Sequence, residues 1–352
     1  MTGESISIFA RITLALAIGV ASGVLGNAVG MPLPWMLGPM IGNTIAALVH
    51  LPIRGPVRLR PIVIPIIGVM LGSAFSPAIL GQITSWLVTL VLLAPFIAVA
   101  GLASFLFYSR VAGYDRITAF YCAAPGGLNE MVILGAAAGG VERQIALAHS
   151  ARILVVVTAV VWFYNAGLGV QSGDIARPTV ALGALSLLDM ALLAGSAILG
   201  PAFARAVRLP AAGMLGPMVL SAAAHLAGWV DVPPPAPLVI VAQIVIGTVI
   251  GCRFAGTPAR EILRDVGLGI GSSTVMLAVA LGFAAALTAL TGTDLAQSFL
   301  AFSPGGLTEM SLLALAMGQD VAYVSFAHVA RIVYVIAAAP IAARLGGFSS
   351  PS

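Results

Sequence analysis

The sequence predicts an all-α membrane protein built as an inverted-topology repeat, with about 5+5 transmembrane helices and one re-entrant or broken helix per repeat. Three observations predict it. Of 352 residues, 60% are hydrophobic and 8% charged, with a mean hydropathy of +1.09, far from the roughly one-quarter charged make-up of soluble domains. The chain aligns with itself at an offset of 179 residues. Finally, loop arginines, which set membrane orientation, fall in opposite places in the two copies.

The net charge of +4 comes from sixteen basic residues, all of them arginine. They lie mostly in short segments between apolar runs rather than in one patch, which argues against nucleic acid as a partner. Cys122 and Cys252 sit in apolar sequence with no CxxC and no Cys/His cluster, so they read as small buried hydrophobes, and neither a metal nor a cofactor is expected. The first apolar stretch, Ile6–Val29, has the look of a signal peptide. A comparable stretch at Leu182–Phe203 opens the second half, so Ile6–Val29 reads as a retained helix.

In the self-alignment Asp115 falls on Asp294, Phe120 on Phe299, Pro125 on Pro304, Glu130 on Glu309, His149 on His328 and Arg152 on Arg331. Upstream, "MLGPM" from Met36 matches "MLGPM" from Met214, and Gly68, Gly72 and Phe75 match Gly247, Gly251 and Phe254. The repeats are therefore 1–174 and 175–352, with a join near residues 170–180.

Each copy holds six apolar segments, in the first at 6–29, 34–49, 62–75, 83–108, 117–138 and 143–166. The first copy carries Arg54, Arg58 and Arg60 after its second segment and Arg110 and Arg116 after its fourth. The second copy carries Arg205 and Arg208 after its first and Arg253, Arg260 and Arg264 around the end of its third. The reversal predicts opposite insertion, and opposite insertion needs an odd number of crossings per copy. One segment must fail to cross. The fifth is the candidate, because Pro-Gly-Gly splits it into pieces only about 12 to 17 Å long as helix, half the hydrocarbon thickness. Ten crossings would leave both termini in the cytoplasm, in agreement with Arg344 near the C-terminal end.

A mid-membrane break is tolerable only where it is buried in protein or lines a wet cavity. Pro125 and Pro304 suit the start of a half-helix, Gly126, Gly127, Gly305 and Gly306 admit close approach, and the free N–H groups of the half-helix attract anions. Glu130 and Glu309 follow about one turn in, as proton carriers, cation ligands or structural partners of an arginine. Asn129 and Thr308 beside them could ligate a solute or bond neighbouring helices. In the sixth segments His149 and Arg152, and His328 and Arg331, stand three residues apart on one helix face. Each arginine is about 15 Å into its helix, where an unpaired guanidinium costs from about 2.5 to beyond 10 kcal/mol. Glu130 and Glu309 are the expected partners. The bland alternative is an ion pair that only fixes packing, with the histidines satisfied by backbone carbonyls.

Other polar positions read more simply. Asp115 and Asp294 open the fifth segments as helix caps. The "LGPM" elements with Gly38, Pro39, Gly216 and Pro217 read as close helix contacts, and Trp35 and Trp229 as interfacial anchors. Asp189 and Gln243 have no assigned role.

At "PWMLGPM", at the paired "PGGLNEM" and "PGGLTEM", and at the duplicated H-x-x-R, the sequence resembles the AbrB family of bacterial membrane proteins over nearly its whole length. That family shares its name with a soluble DNA-binding regulator whose small β fold nothing here matches. The resemblance implies a multi-pass protein of the bacterial inner membrane. It also brings two labels, regulator of aidB expression and ammonia monooxygenase. An oxygenase site needs clustered His and carboxylate ligands, and the four histidines are dispersed. The expectation is therefore a non-enzymatic secondary transporter for a small anionic or zwitterionic solute, coupled to protons or Na⁺. A membrane regulator of gene expression acting through a partner and a membrane oxygenase component are the alternatives, and a homo-oligomer is left open.

Overall fold

The computed structural model describes residues 7–31, 33–75, 83–164, 185–209 and 211–345; the join expected near residues 170–180 lies outside them. The described chain is all-helical: α1 (Ile8–Ala28), α2 (Pro34–Leu48), α3 (Arg60–Gly72), α4 (Ile83–Arg110), α5 (Arg116–Ala123), α6 (Leu128–Ala137), α7 (Glu142–Trp162), α8 (Leu187–Ala206), α9 (Ala212–Leu226), α10 (Ala236–Gly251), α11 (Ala259–Thr291), α12 (Leu295–Phe302), α13 (Leu307–Ala316) and α14 (Val321–Leu345). Among the described residues seven helices are long and apolar enough to cross a membrane: α1, α4, α7, α8, α10 with its following turn, α11 and α14. This is a multi-pass membrane protein.

Packing divides the chain into two compact units, Met1–Ile79 with Gln171–Ile262 and Leu80–Val170 with Leu263–Ser352. Each draws on both halves of the sequence. In the first unit α1 packs on α2 and α8 on α9, while α2 also packs on α10 and α9 on α3. Glycine allows the last two contacts: a Cβ on Gly247 or Gly251 would run into the Met36 or Met40 carbonyl, and one on Gly68 or Gly72 into that of Met214 or Met218. The repeated "MLGPM" is thus a backbone-close helix contact, the geometry small residues provide in membranes. Asn43, fully buried, donates to the Ala15 carbonyl at 3.2 Å and to that of Pro39 at 2.9 Å, tying α1 to α2. Asp189 acquires a role as well. It closes a capping box with Ser186 at the start of α8, each side chain bonding the other residue's backbone N–H.

In the second unit α5 packs on α4, α6 and α7; α13 packs on α12, α14 and α7; and α14 also packs on α4. The fifth apolar segment is two helices, α5 of 8 and α6 of 10 residues, and in the second half α12 and α13 have the same two lengths. The residue before a proline is pushed out of the helical region by the ring. Ala124 (φ −56°, ψ 125°) and Ser303 (φ −57°, ψ 134°) show this, so each helix ends two residues before its proline, at Ala123 and Phe302. Gly127 and Gly306, in extended conformation, then start the second half-helices.

Candidate functional site

The site is built around the two breaks, all within the second unit. Asp115 caps the first half-helix by accepting from the Thr118 N–H at 2.9 Å, the role expected for it. Asp294 occupies the same N-cap position of α12 without a side-chain cap bond. At the other end of α5 the break strips carbonyls of helical partners, and an arginine supplies donors. Arg152 of α7 donates from Nη1 to the Ala124 carbonyl at 3.0 Å and from Nη2 to that of Gly126 at 3.4 Å. Arg331 of α14 does the same to Ser303, at 2.6 Å, and to Gly305. A cation at these positions also complements the negative end of the half-helix dipole.

This corrects the expected Glu–Arg pairing. The arginines are 4% and 3% exposed, and among the described residues neither meets a carboxylate. The carboxylates fold the other way: a Cβ on Gly127 would collide with Oε2 of Glu130, and one on Gly306 with Oε2 of Glu309. Each glutamate is the third residue of its half-helix and lies back over the glycine that starts it, in the manner of the acidic half of a capping box. The helix N-terminus, with about half a positive charge, favours a carboxylate in that place. Glu309 is buried and Glu130 half-buried.

The histidines differ between copies. His149 bonds the Tyr121 carbonyl through Nε2 at 2.8 Å and Arg152 Nη2 through Nδ1 at 2.7 Å. A carbonyl only accepts and a guanidinium only donates, so the network assigns a neutral ring protonated at Nε2. His328 instead turns Nδ1 to the carbonyl of Val324, one turn back on its own helix, at 2.9 Å. Its buried Nε2 makes no hydrogen bond of ordinary geometry, although the Ser303 carbonyl lies nearby.

The structure therefore gathers Pro125, Gly126, Gly127, Pro304, Gly305 and Gly306 at the breaks, with His149, Arg152, His328 and Arg331 against them. Thr308 stands half-buried at the second position of α13. Asn129 has the same place in α6, and its side chain lies outside the described residues. Arg152 and Arg331 are close enough for their like charges to act on each other. The Nε of each is buried with no hydrogen-bond partner among the described residues. Beside the first break an apolar cleft of about 410 Å³ runs between Ile97, Gly101 and Phe105 of α4, Ala124, Pro125 and Val335. Sequence reasoning missed Tyr108, which lies near Arg152 and could have been found as a hydroxyl at the far end of a long apolar helix.

The family model described as "Transition state regulatory protein AbrB" matches residues 4–346. The Bacillus subtilis (strain 168) protein named "Uncharacterized protein YhjN" is 26% identical over 299 residues, 80% of this chain and 76% of that protein. The Escherichia coli (strain K12) protein named "Putative regulator AbrB" is 26% identical over 287 residues, 79% of this chain and 80% of that protein. With the family model spanning nearly the whole sequence, and with its run of long apolar helices, this chain belongs to the AbrB family of membrane proteins.

Proposed function

We propose that the protein is a secondary carrier for a small anionic or zwitterionic solute, coupled to protons or Na⁺, and that the two breaks form its binding site. The observation that carries this reading is the pair of buried guanidiniums, bonded among the described residues only to carbonyl oxygens and a histidine, each with an Nε–H that meets no partner there. Two such cations without a carboxylate leave positive charge in a low-dielectric region, which an anion would neutralise. The broken helices meet the need of such carriers for irregular backbone at membrane depth, where interrupted helices hold substrate and coupling ion. In this reading 1–174 and 175–352 are inverted repeats of about five crossings each, supported by the reversed arginine pattern. Glu130 and Glu309 answer to proton or Na⁺ as the solute binds.

Reconstituted protein tests it. Labelled sulfate, phosphate, succinate and alanine are offered under proton and Na⁺ gradients, alongside thermal-shift titration with the same compounds. Gradient-driven accumulation of at least one, with stabilisation by it, is the expected result. No accumulation and no stabilisation across the set would remove the carrier reading. The relative's name favours a second reading, a membrane regulator acting through a partner; it predicts stabilisation by a solute without accumulation.

A further inference from the structure

One face of α14 is turned toward the two breaks, and it holds two buried atoms with complementary needs. Ser325, His328, Arg331 and Val335 recur at spacings of three and four, which places them on one side of the helix. Their contacts fix its direction. Ser325 Oγ shares a hydrogen bond of 2.8 Å with Ser311 Oγ of α13, and Arg331 spans the Ser303 and Gly305 carbonyls. Val335 lies so close to the first break that a Cβ on Gly126 would stand 2.8 Å from its Cγ1. Both breaks therefore meet this face, the first carrying the Gly126 carbonyl that Arg152 Nη2 holds at 3.4 Å.

His328 sits in the middle of the face and is fully buried. Its Nδ1 bonds the Val324 carbonyl at 2.9 Å; a carbonyl only accepts, so Nδ1 carries the ring proton. A second positive charge one turn from Arg331 and away from water is unfavourable, so the ring is neutral. Glu309, the acid of the neighbouring α13, lies back over Gly306 and does not meet the ring's other nitrogen. That nitrogen, Nε2, is an acceptor buried with no hydrogen-bond partner among the described residues. Arg331 Nε is also buried and unpartnered among them, and it can only donate.

The first copy is different. His149 uses both nitrogens, donating from Nε2 to the Tyr121 carbonyl and accepting at Nδ1 from Arg152, which leaves only the Arg152 Nε–H for a ligand. At the 179-residue offset Ser303, Ser311 and Ser325 become Ala124, Val132 and Ala146. All three serines are fully buried, and burying a hydroxyl costs free energy. Polar groups thus collect around His328 and not around its counterpart.

The geometry points to His328 Nε2 and Arg331 Nε as a paired acceptor and donor that selects a small oxyanion still carrying one O–H, of the hydrogen phosphate kind. This rests on the carrier reading and names its solute class. The O–H of the ligand donates to Nε2, and one of its charged oxygens accepts from Arg331 Nε. An oxyanion without a proton, such as sulfate, sets a lone pair against that of Nε2 and is held by the guanidiniums alone. Leaving a buried polar group unpaired in this way is how a site rejects a close analogue.

The test uses two pairs of tetrahedral oxyanions. Full-length protein in detergent is titrated by thermal shift at neutral pH with phosphate and arsenate, which keep a proton there, and with sulfate and selenate, which do not. Phosphate and arsenate are expected to stabilise at concentrations at least about tenfold below those of sulfate and selenate. H328Q, whose amide N–H can face a bare oxygen, is expected to bring the two pairs within about twofold of each other. H328F should do so by weakening phosphate and arsenate alone, and R331K should weaken all four and keep the ratio. Equal stabilisation by the two pairs, sulfate ahead of phosphate, an unchanged ratio in H328Q, or no stabilisation by any of the four would each overturn the selection. A water shared by the two nitrogens predicts the first of these.

Uptake of labelled phosphate and sulfate by the reconstituted protein separates the two readings. The expected ratio without accumulation removes the carrier reading and leaves the selection. Accumulation of either anion, or of succinate or alanine, without the ratio leaves the carrier reading and removes the selection.

Discussion

Arg331 reaches 28 residues back along the chain to hold the Ser303 carbonyl at 2.6 Å, and Arg152 holds Ala124 across the same separation. The fork of a guanidinium spans two carbonyls at once, Ser303 with Gly305 and Ala124 with Gly126. Each break is thus closed by a guanidinium that meets no carboxylate among the described residues.

Arg331→Lys keeps the charge and loses the fork, since an ammonium is a point donor without the planar geometry. Stabilisation by sulfate or succinate in thermal-shift titration is expected to weaken by at least about tenfold, the order of one charge-assisted hydrogen bond. Arg152→Lys should behave alike. Unchanged titrations in both would detach the arginines from anion binding.

At Gly306 a Cβ would collide with the Glu309 carboxylate, so Gly306→Ala should swing that side chain off the half-helix N-terminus. Loss of such a cap costs about 1 kcal/mol. Because both changes remove the same contact, G306A and E309A should be non-additive by about 0.5 kcal/mol or more in a double-mutant cycle on denaturation midpoints. Strict additivity would show that the carboxylate does not sit there.

Gly251 faces the Met40 carbonyl with no room for a side chain. Gly251→Val should force α10 off α2 and destabilise the first unit by about 3 kcal/mol, the upper range for overpacking. A melting temperature within a degree or two of the natural protein's would show that the contact is looser than described.

How much of this could be read from sequence depends on whether the cause is local. Proline restricts the residue before it wherever it stands, so the interruptions at Pro125 and Pro304 follow from three letters. Asp189 was equally local, a Ser-x-x-Asp start signal at Ser186, and is unassigned in the sequence reading only because an acid in an apolar run draws attention away from capping. The partners of Arg152 and Arg331 could not be read, because carbonyls belong to every residue and leave no mark in sequence. The same holds for the grouping of helices. That α2 meets α10 and α3 meets α9 is decided by which glycine rows fit which backbones, a comparison across more than 140 positions of chain.

The glutamates offer the sharpest division between fold and turnover. Glu309→Gln keeps the length and hydrogen-bonding reach of the side chain over Gly306 and loses its charge at the helix N-terminus, which is worth about 0.3–1 kcal/mol. Stability should therefore fall by no more than about 1 kcal/mol in denaturation, with an unchanged size-exclusion profile. In the carrier reading the charge answers to proton or Na⁺, so gradient-driven accumulation should be abolished, while counterflow exchange of preloaded solute, which needs no net ion movement, can persist. Glu130→Gln is the matched case on a half-buried carboxylate. Full gradient-driven activity in both variants would take the glutamates out of the coupling step and leave them as helix caps.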